Sequence, residues 1–169
     1  AIFYQKHMTH HMIECIDRNW LSKVTNCFLI RRPENVLASY SVKRQQVTLE
    51  DIGFVQQAEL FKQVSDALGA APVVVDAFDV LSSPRGILER LCDALEVPFT
   101  DKMLHWPPGL RESDGAWAPH WYGAVEKSTE FTPPAADVEI DTLPSALAAI
   151  AEAARPHYEA LYAHRLSAE

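Results

Sequence analysis

Residues 25–32, TNCFLIRR, form a continuous apolar run that ends in two arginines, and Pro33 follows at once. A short apolar run without polar alternation predicts a central strand covered on both faces, as in parallel sheets. Pro33 suits the first turn of a helix, where its missing N–H costs nothing. PENVLASYSVKRQ (33–45) then continues in a helical pattern. The expected unit is a strand feeding a helix, with a guanidinium pair at the junction. Arginines at the end of a buried strand are costly unless an anion pairs them.

The rest of the chain repeats this alternation. AIFYQK (1–6) reads as a strand, and HMTHHMIECIDRNWL (7–21) as a short helix with Met8, Met12 and Cys15 or Ile16 on its apolar stripe. TLEDIGFVQQAELFKQVSDALG (48–69) predicts one long helix, buried through Phe54, Ala58, Phe61, Val64 and Leu68 and stopped by Gly69. APVVVDA (71–77) is a short β-branched strand. SPRGILERLCDALEVPF (83–99) starts on Ser–Pro, ends before Pro98 and buries Ile87, Leu91 and Leu95. Residues 104–134 are rich in Pro, Trp and Gly and predict a long loop with one helical turn at 120–127. Residues 144–166 are helical, with a bend expected near Pro156.

Strands alternating with helices imply an α/β fold, a three-layer parallel sheet flanked by helices in one domain over 1–169. Three strands make a thin sheet, and the chain opens on a strand pattern without an initiator Met. The expectation is therefore a domain incomplete at its N-terminus, with a further strand or two preceding Ala1.

Net charge −8 argues against a nucleic-acid surface, because phosphate backbones need clustered Lys and Arg. It leaves room for a local cationic pocket that takes one small anion. Cys15, Cys27 and Cys92 are an odd set without CxxC, which fits reduced thiols and a cytoplasmic setting. No apolar stretch approaches the roughly 18 residues of a bilayer span, so no membrane partner is expected.

Ligands of parallel α/β sheets bind beyond the carboxyl ends of the strands. Two such ends are basic: Lys6, His7, His10 and His11 after the first strand, and Arg31 and Arg32 after the second. The second leads into a helix N-terminus, where free N–H groups and the helix dipole favour phosphate. Ser39 lies about 9 Å further along that helix, within the span of a phosphate held by an arginine fork. The plainer alternative pairs Arg31 and Arg32 with Glu34 or with acids further along the chain. A zinc site at His7, His11 and Cys15, one face of a helix, is a weaker alternative, and no metal is expected. Asp76 and Asp79 read better as caps than as catalytic carboxylates. A serine hydrolase lacks its GxSxG.

RRPENVLAS resembles the R-x-P-x-(D/N)-x-x-x-S motif of sulfotransferases that use 3′-phosphoadenosine 5′-phosphosulfate (PAPS). VVDAFDVLSSP, LCDALEVPF, DGAWAPHWY and KSTEF follow in the order found in a bacterial and plant branch of sulfotransferase-like proteins, some labelled aminotransferase-like. The resemblance implies a fold related to P-loop kinases and sulfuryl transfer from PAPS, without a metal, to a hydroxyl or amine of a small-molecule acceptor. It assigns Arg31 and Ser39 to the 3′-phosphate of the nucleotide and Lys6 to the leaving phosphate. The base of the family, a His two residues after the Lys, falls on Met8 in this chain, so His7 is the first choice of base in its place and His10 the second. GLRESDGAW adds Arg111 as a second 3′-phosphate ligand. The Gly/Ser/Thr loop of the family, which holds the 5′-phosphosulfate, is expected before Ala1, and the chain alone is expected to be inactive. Other readings are a nucleotide-binding module without turnover and a kinase-like phosphotransferase.

Overall fold

The computed structural model describes residues 2–12, 15–42, 44, 46–111, 114–115, 122–123 and 125–167. Its helices are α1 (Pro33–Ser41), α2 (Leu49–Ile52), α3 (Phe54–Leu68), α4 (Ala77–Ser82), α5 (Pro84–Ala94) and α6 (Ser145–Tyr162). Its strands are β1 (Cys27–Ile30) and β2 (Val73–Asp76). The chain divides into two compact units, Ala1–Ala77 with Ala135–Leu166, and Phe78–Pro134 with Ser167–Glu169.

In the first unit β1 and β2 pair in parallel, from Cys27 opposite Val73 to Ile30 opposite Asp76. On the other edge of β2, Leu166 N–H donates to Val74 O at 2.9 Å, a single parallel rung beside Arg165. Side chains alternate across a strand. Phe28, Ile30 and Val74 therefore share one face, and Phe54 and Phe61 of α3 cover it together with Ala154, Tyr158 and Leu161 of α6. Phe28 meets Phe61 edge to face at 5.5 Å, the arrangement that ring quadrupoles favour.

Several expectations need correction. Residues 2–6 form no strand, and Ile2, Phe3 and Tyr4 are 71%, 84% and 81% exposed. An apolar sequence becomes a strand only where a neighbour takes its N–H and C=O groups, and none does so here among the described residues. Among the described residues, the helix expected over 7–21 is replaced by two 3₁₀ turns, Thr9–His11 and Asn19–Lys23. Met12 and Leu21 still reach the core, while Met8 and Ile16 stay exposed. The sheet has two strands among the described residues rather than three. β1 is not covered on both faces, since Cys27 is exposed and Leu29 is 62% exposed.

The helix predicted over 48–69 breaks at Gly53, which adopts φ 68° between α2 and α3. A Cβ there would be strained by that φ and would approach Thr9 Cβ at 3.2 Å. α2 opens on a capping box, with Thr48 Oγ1 accepting from Asp51 N–H and Asp51 Oδ2 accepting from Thr48 N–H. Phe54, Phe61 and Val64 are buried as predicted, Leu60 joins them, and Leu68 is exposed. Gly69 ends α3 at φ 70°.

In the second unit Ile87 and Cys92 of α5 are buried. The Pro- and Trp-rich loop is tied at its base. Trp106 N–H donates to Thr129 O at 2.9 Å and its indole N–H to Ser128 Oγ at 3.0 Å. Gly109 N–H donates to Glu126 O at 2.8 Å. Of the turn expected at 120–127, residues 122–123 and 125–127 are described, and there Glu126 N–H donates to Tyr122 O at 2.7 Å. Most of DGAWAPHWY, with Trp117 and Trp121, lies outside the described residues.

Candidate functional site

Strand alternation sets the two arginines apart. Cys27 and Leu29 lie on the open face of β1, and Arg31 continues that series. Phe28 and Ile30 lie on the covered face, and Arg32 continues theirs, with an extended backbone at φ −51°, ψ 134°. Arg31 is exposed and forms no hydrogen bond or ion pair among the described residues. Arg32 is engaged by acids of the same unit.

Arg32 Nη1 donates to Asp137 Oδ2 at 2.6 Å, and Asn35 Nδ2 donates to Asp137 Oδ1 at 2.7 Å. Val138 N–H donates back to Asn35 Oδ1 at 2.9 Å. The Asn35 bond first, and then Arg32, hold the Asp137 carboxyl below the usual carboxylate range, with a weaker pull from Arg31. A depressed carboxyl contributes stability above its unfolded pKa of about 4 and loses it as pH falls further. The tie between Asp137 and α1 is thus an interaction of neutral pH that acid weakens.

Glu34, in the first turn of α1, is fully buried. Arg155 Nη2 of α6 donates to its Oε1. Its Oε2 has no hydrogen-bond partner among the described residues and lies 3.6 Å from Arg32 Nε. A carboxylate at this place is favoured by the helix dipole, but its burial requires the two guanidinium groups.

At the end of β2, Asp76 is 2% exposed and accepts from Tyr158 O–H at 2.9 Å. It ties the sheet to α6 and directly precedes α4. Burial, and then the bond to Asp76, push the Tyr158 phenol far above its usual range. A raised phenol contributes stability that is complete below its unfolded pKa of about 10 and is lost as pH climbs beyond it. Tyr158→Phe is expected to cost about 1–2 kcal/mol at pH 7, read as a lower denaturant midpoint. The gap to the wild type should shrink above pH ~10; a gap that stayed constant into alkali would mean that the hydroxyl is not linked to folding.

The other sequence-predicted residues fall as follows. Ser39 is exposed on α1, one turn beyond Asn35, and makes no hydrogen bond among the described residues. Lys6 and His7 are exposed outside any strand; His7 Nε2 lies 3.1 Å from Gln5 Oε1, and its ring is 5.6 Å from that of Trp20. His10 is exposed in the first 3₁₀ turn. No hydrogen bond or ion pair joins any two of Lys6, His7, Arg31 and Ser39. Arg111 belongs to the second unit, where its backbone N–H donates to Asp114 Oδ2 at 2.8 Å and its side chain is exposed. The helix that would align His7, His11 and Cys15 is not formed, and no group of three or more metal-ligating side chains occurs among the described residues.

Sequence reasoning missed Asn35, Asp137, Arg155 and Tyr158. Asn35 stands at the D/N position of the R-x-P-x-(D/N)-x-x-x-S pattern, so the motif carried a signal for it. Asp137 lies 105 residues from Arg32 and has no local mark in the sequence.

A family profile described as "Sulfotransferase domain" matches residues 1–165. Among curated proteins, the chain is similar to branched-chain-amino-acid aminotransferase-like proteins 1 and 2 of Arabidopsis thaliana. It is 34% identical to the first over 78% of this chain and 32% identical to the second over 76%. It spans 23% of the length of each. No solved structure matches it significantly. No helix among the described residues is long and apolar enough to cross a membrane. With a match that runs through β1, α1 and α6, the chain belongs to the sulfotransferase domain family.

Proposed function

We propose that the β1–α1 junction is the 3′-phosphate site of a PAPS-dependent sulfotransferase with a P-loop-related fold, and that the whole protein transfers a sulfuryl group to a hydroxyl or amine of a small-molecule acceptor. One observation carries the reading. Of two adjacent arginines, Arg32 is satisfied by internal acids while Arg31 stands exposed, without such a partner, where parallel strands end and a helix begins. That is where α/β sheets hold anionic ligands.

In this reading the Arg31 fork grips two phosphate oxygens and the Ser39 hydroxyl donates to a third. The acceptor oxygen or nitrogen attacks sulfur as the bond from sulfur to the bridging 5′-phosphate oxygen breaks. The bond electrons leave with that phosphate, and the acceptor proton passes to a base, His7 or His10. The Lys6 ammonium steadies the charge that collects on the leaving phosphate. Lys6, His7 and His10 lie on an exposed segment, so these roles require it to close over the bound nucleotide. The same exposure favours a second reading, a domain that binds the nucleotide without turnover.

Calorimetric titration with adenosine 3′,5′-bisphosphate and with ADP tests the site. The 3′-phosphate should bring about 10- to 100-fold tighter binding, the worth of charge-assisted hydrogen bonds. Equal affinities, or a preference for ADP with Mg²⁺, would move the assignment to a kinase-like phosphotransferase. Sulfation of an acceptor by the whole protein would exclude the binding-only reading.

A further inference from the structure

Arg32 Nη1 and Asn35 Nδ2 each donate to a different oxygen of one carboxylate, at 2.6 and 2.7 Å. Both donors stand at the start of α1, a nine-residue helix whose dipole favours negative charge there. Val138 N–H fixes the Asn35 amide with its NH₂ turned to the carboxylate. Two converging donors at a helix start form an oxyanion cradle, and Asp137 of the same chain fills it.

We propose that Asp137 is a built-in competitor for this cradle: the strap of residues 135–139 holds Arg32 and Asn35 against its own carboxylate, and a nucleotide phosphate bound at Arg31 displaces it to gain them. The proposal rests on the phosphate reading of the β1–α1 junction. The strap is lightly held. Residues 135–139 lie in neither helix nor strand, and among the described residues their backbone N–H groups donate one hydrogen bond, that of Val138. The Asp137 side chain is 26% exposed, so a solvent anion can approach the cradle without unfolding of the core. A competitor that occupies the cradle most of the time lowers apparent affinity by the fraction of time the cradle is open.

Asp137→Asn keeps the shape but removes the charge and leaves one acceptor oxygen for the two donors, and Asp137→Ala removes the competitor altogether. Both should bind adenosine 3′,5′-bisphosphate about tenfold more tightly than the wild type at fixed ionic strength. In the wild type, saturating nucleotide should speed hydrogen exchange at the Val138 amide. This second readout needs no variant and holds even if Asp137→Ala fails to fold. Unchanged or weaker binding by Asp137→Asn, or unaltered Val138 exchange, overturns the proposal. If the wild type binds and depends on Arg31 while Asp137→Asn matches it, only the competitor role fails. If neither wild type nor Asp137→Asn binds, the phosphate reading itself is wrong.

Discussion

Arg31→Ala is expected to weaken binding of adenosine 3′,5′-bisphosphate about 100-fold, near 2.7 kcal/mol. The size follows from what the side chain is doing. Arg31 makes no hydrogen bond or ion pair among the described residues, so its removal leaves no acid unpaired and disturbs no packing. Most of the effect should appear in binding, and the denaturation midpoint should move only slightly, by the weak pull of Arg31 on Asp137. Ser39→Ala should cost less, about tenfold, because a hydroxyl gives a phosphate one hydrogen bond and no charge. Affinity for ADP, which has no 3′-phosphate, should move little in either variant. If Arg31→Ala bound both nucleotides like the wild type, the site would have to lie elsewhere. Arg32→Ala offers the contrast. Its guanidinium bonds Asp137 and approaches Glu34, so that variant should lose stability as well as affinity.

The second large effect concerns folding. Arg155→Ala is expected to destabilise the domain by about 3 kcal/mol, read as a fall in urea midpoint at constant slope. Glu34 is fully buried, and Arg155 supplies its hydrogen bond. Without Arg155, the nearest cation would be Arg32, whose Nε lies 3.6 Å from the other oxygen. A carboxylate in apolar surroundings then loses most of what replaced its hydration. The figure sits at the low end for a broken buried pair because the Arg155 side chain is 37% exposed and partly screened by water. Glu34→Gln should recover a large part of the loss in the double variant, since no net charge then remains buried. If Arg155→Ala cost less than about 0.5 kcal/mol, the carboxylate would be satisfied without it.

Much of the chain was legible without coordinates because its signals are local. Pro33 at the head of α1, Gly69 at the end of α3 and the Ser–Pro start of α5 each act through the backbone of one or two residues. The apolar run of β2 and the spacing of Phe54, Phe61 and Val64 report burial directly, whereas that of β1 marked a strand but not its open face. The N-terminus was misread for the converse reason. AIFYQK has strand composition, but a strand is a relation between two segments, and among the described residues no partner takes up residues 2–6. The 48–69 helix was read as one piece because a glycine inside a helical pattern does not announce the positive φ that splits it.

The same division runs through the site. The sequence alone determined that two arginines would stand at a strand–helix junction and that Ser39 would follow them on the helix, since composition and periodicity settle both. Which arginine faces solvent was decided by the tertiary structure: side chains alternate about a strand, and α3 and α6 cover only one of its faces. The distant partners of Arg32 and Glu34 were decided there too, because Asp137 lies 105 residues from Arg32 and Arg155 lies 121 residues from Glu34. Charge pairing depends on distance in space, which no pattern along the chain records.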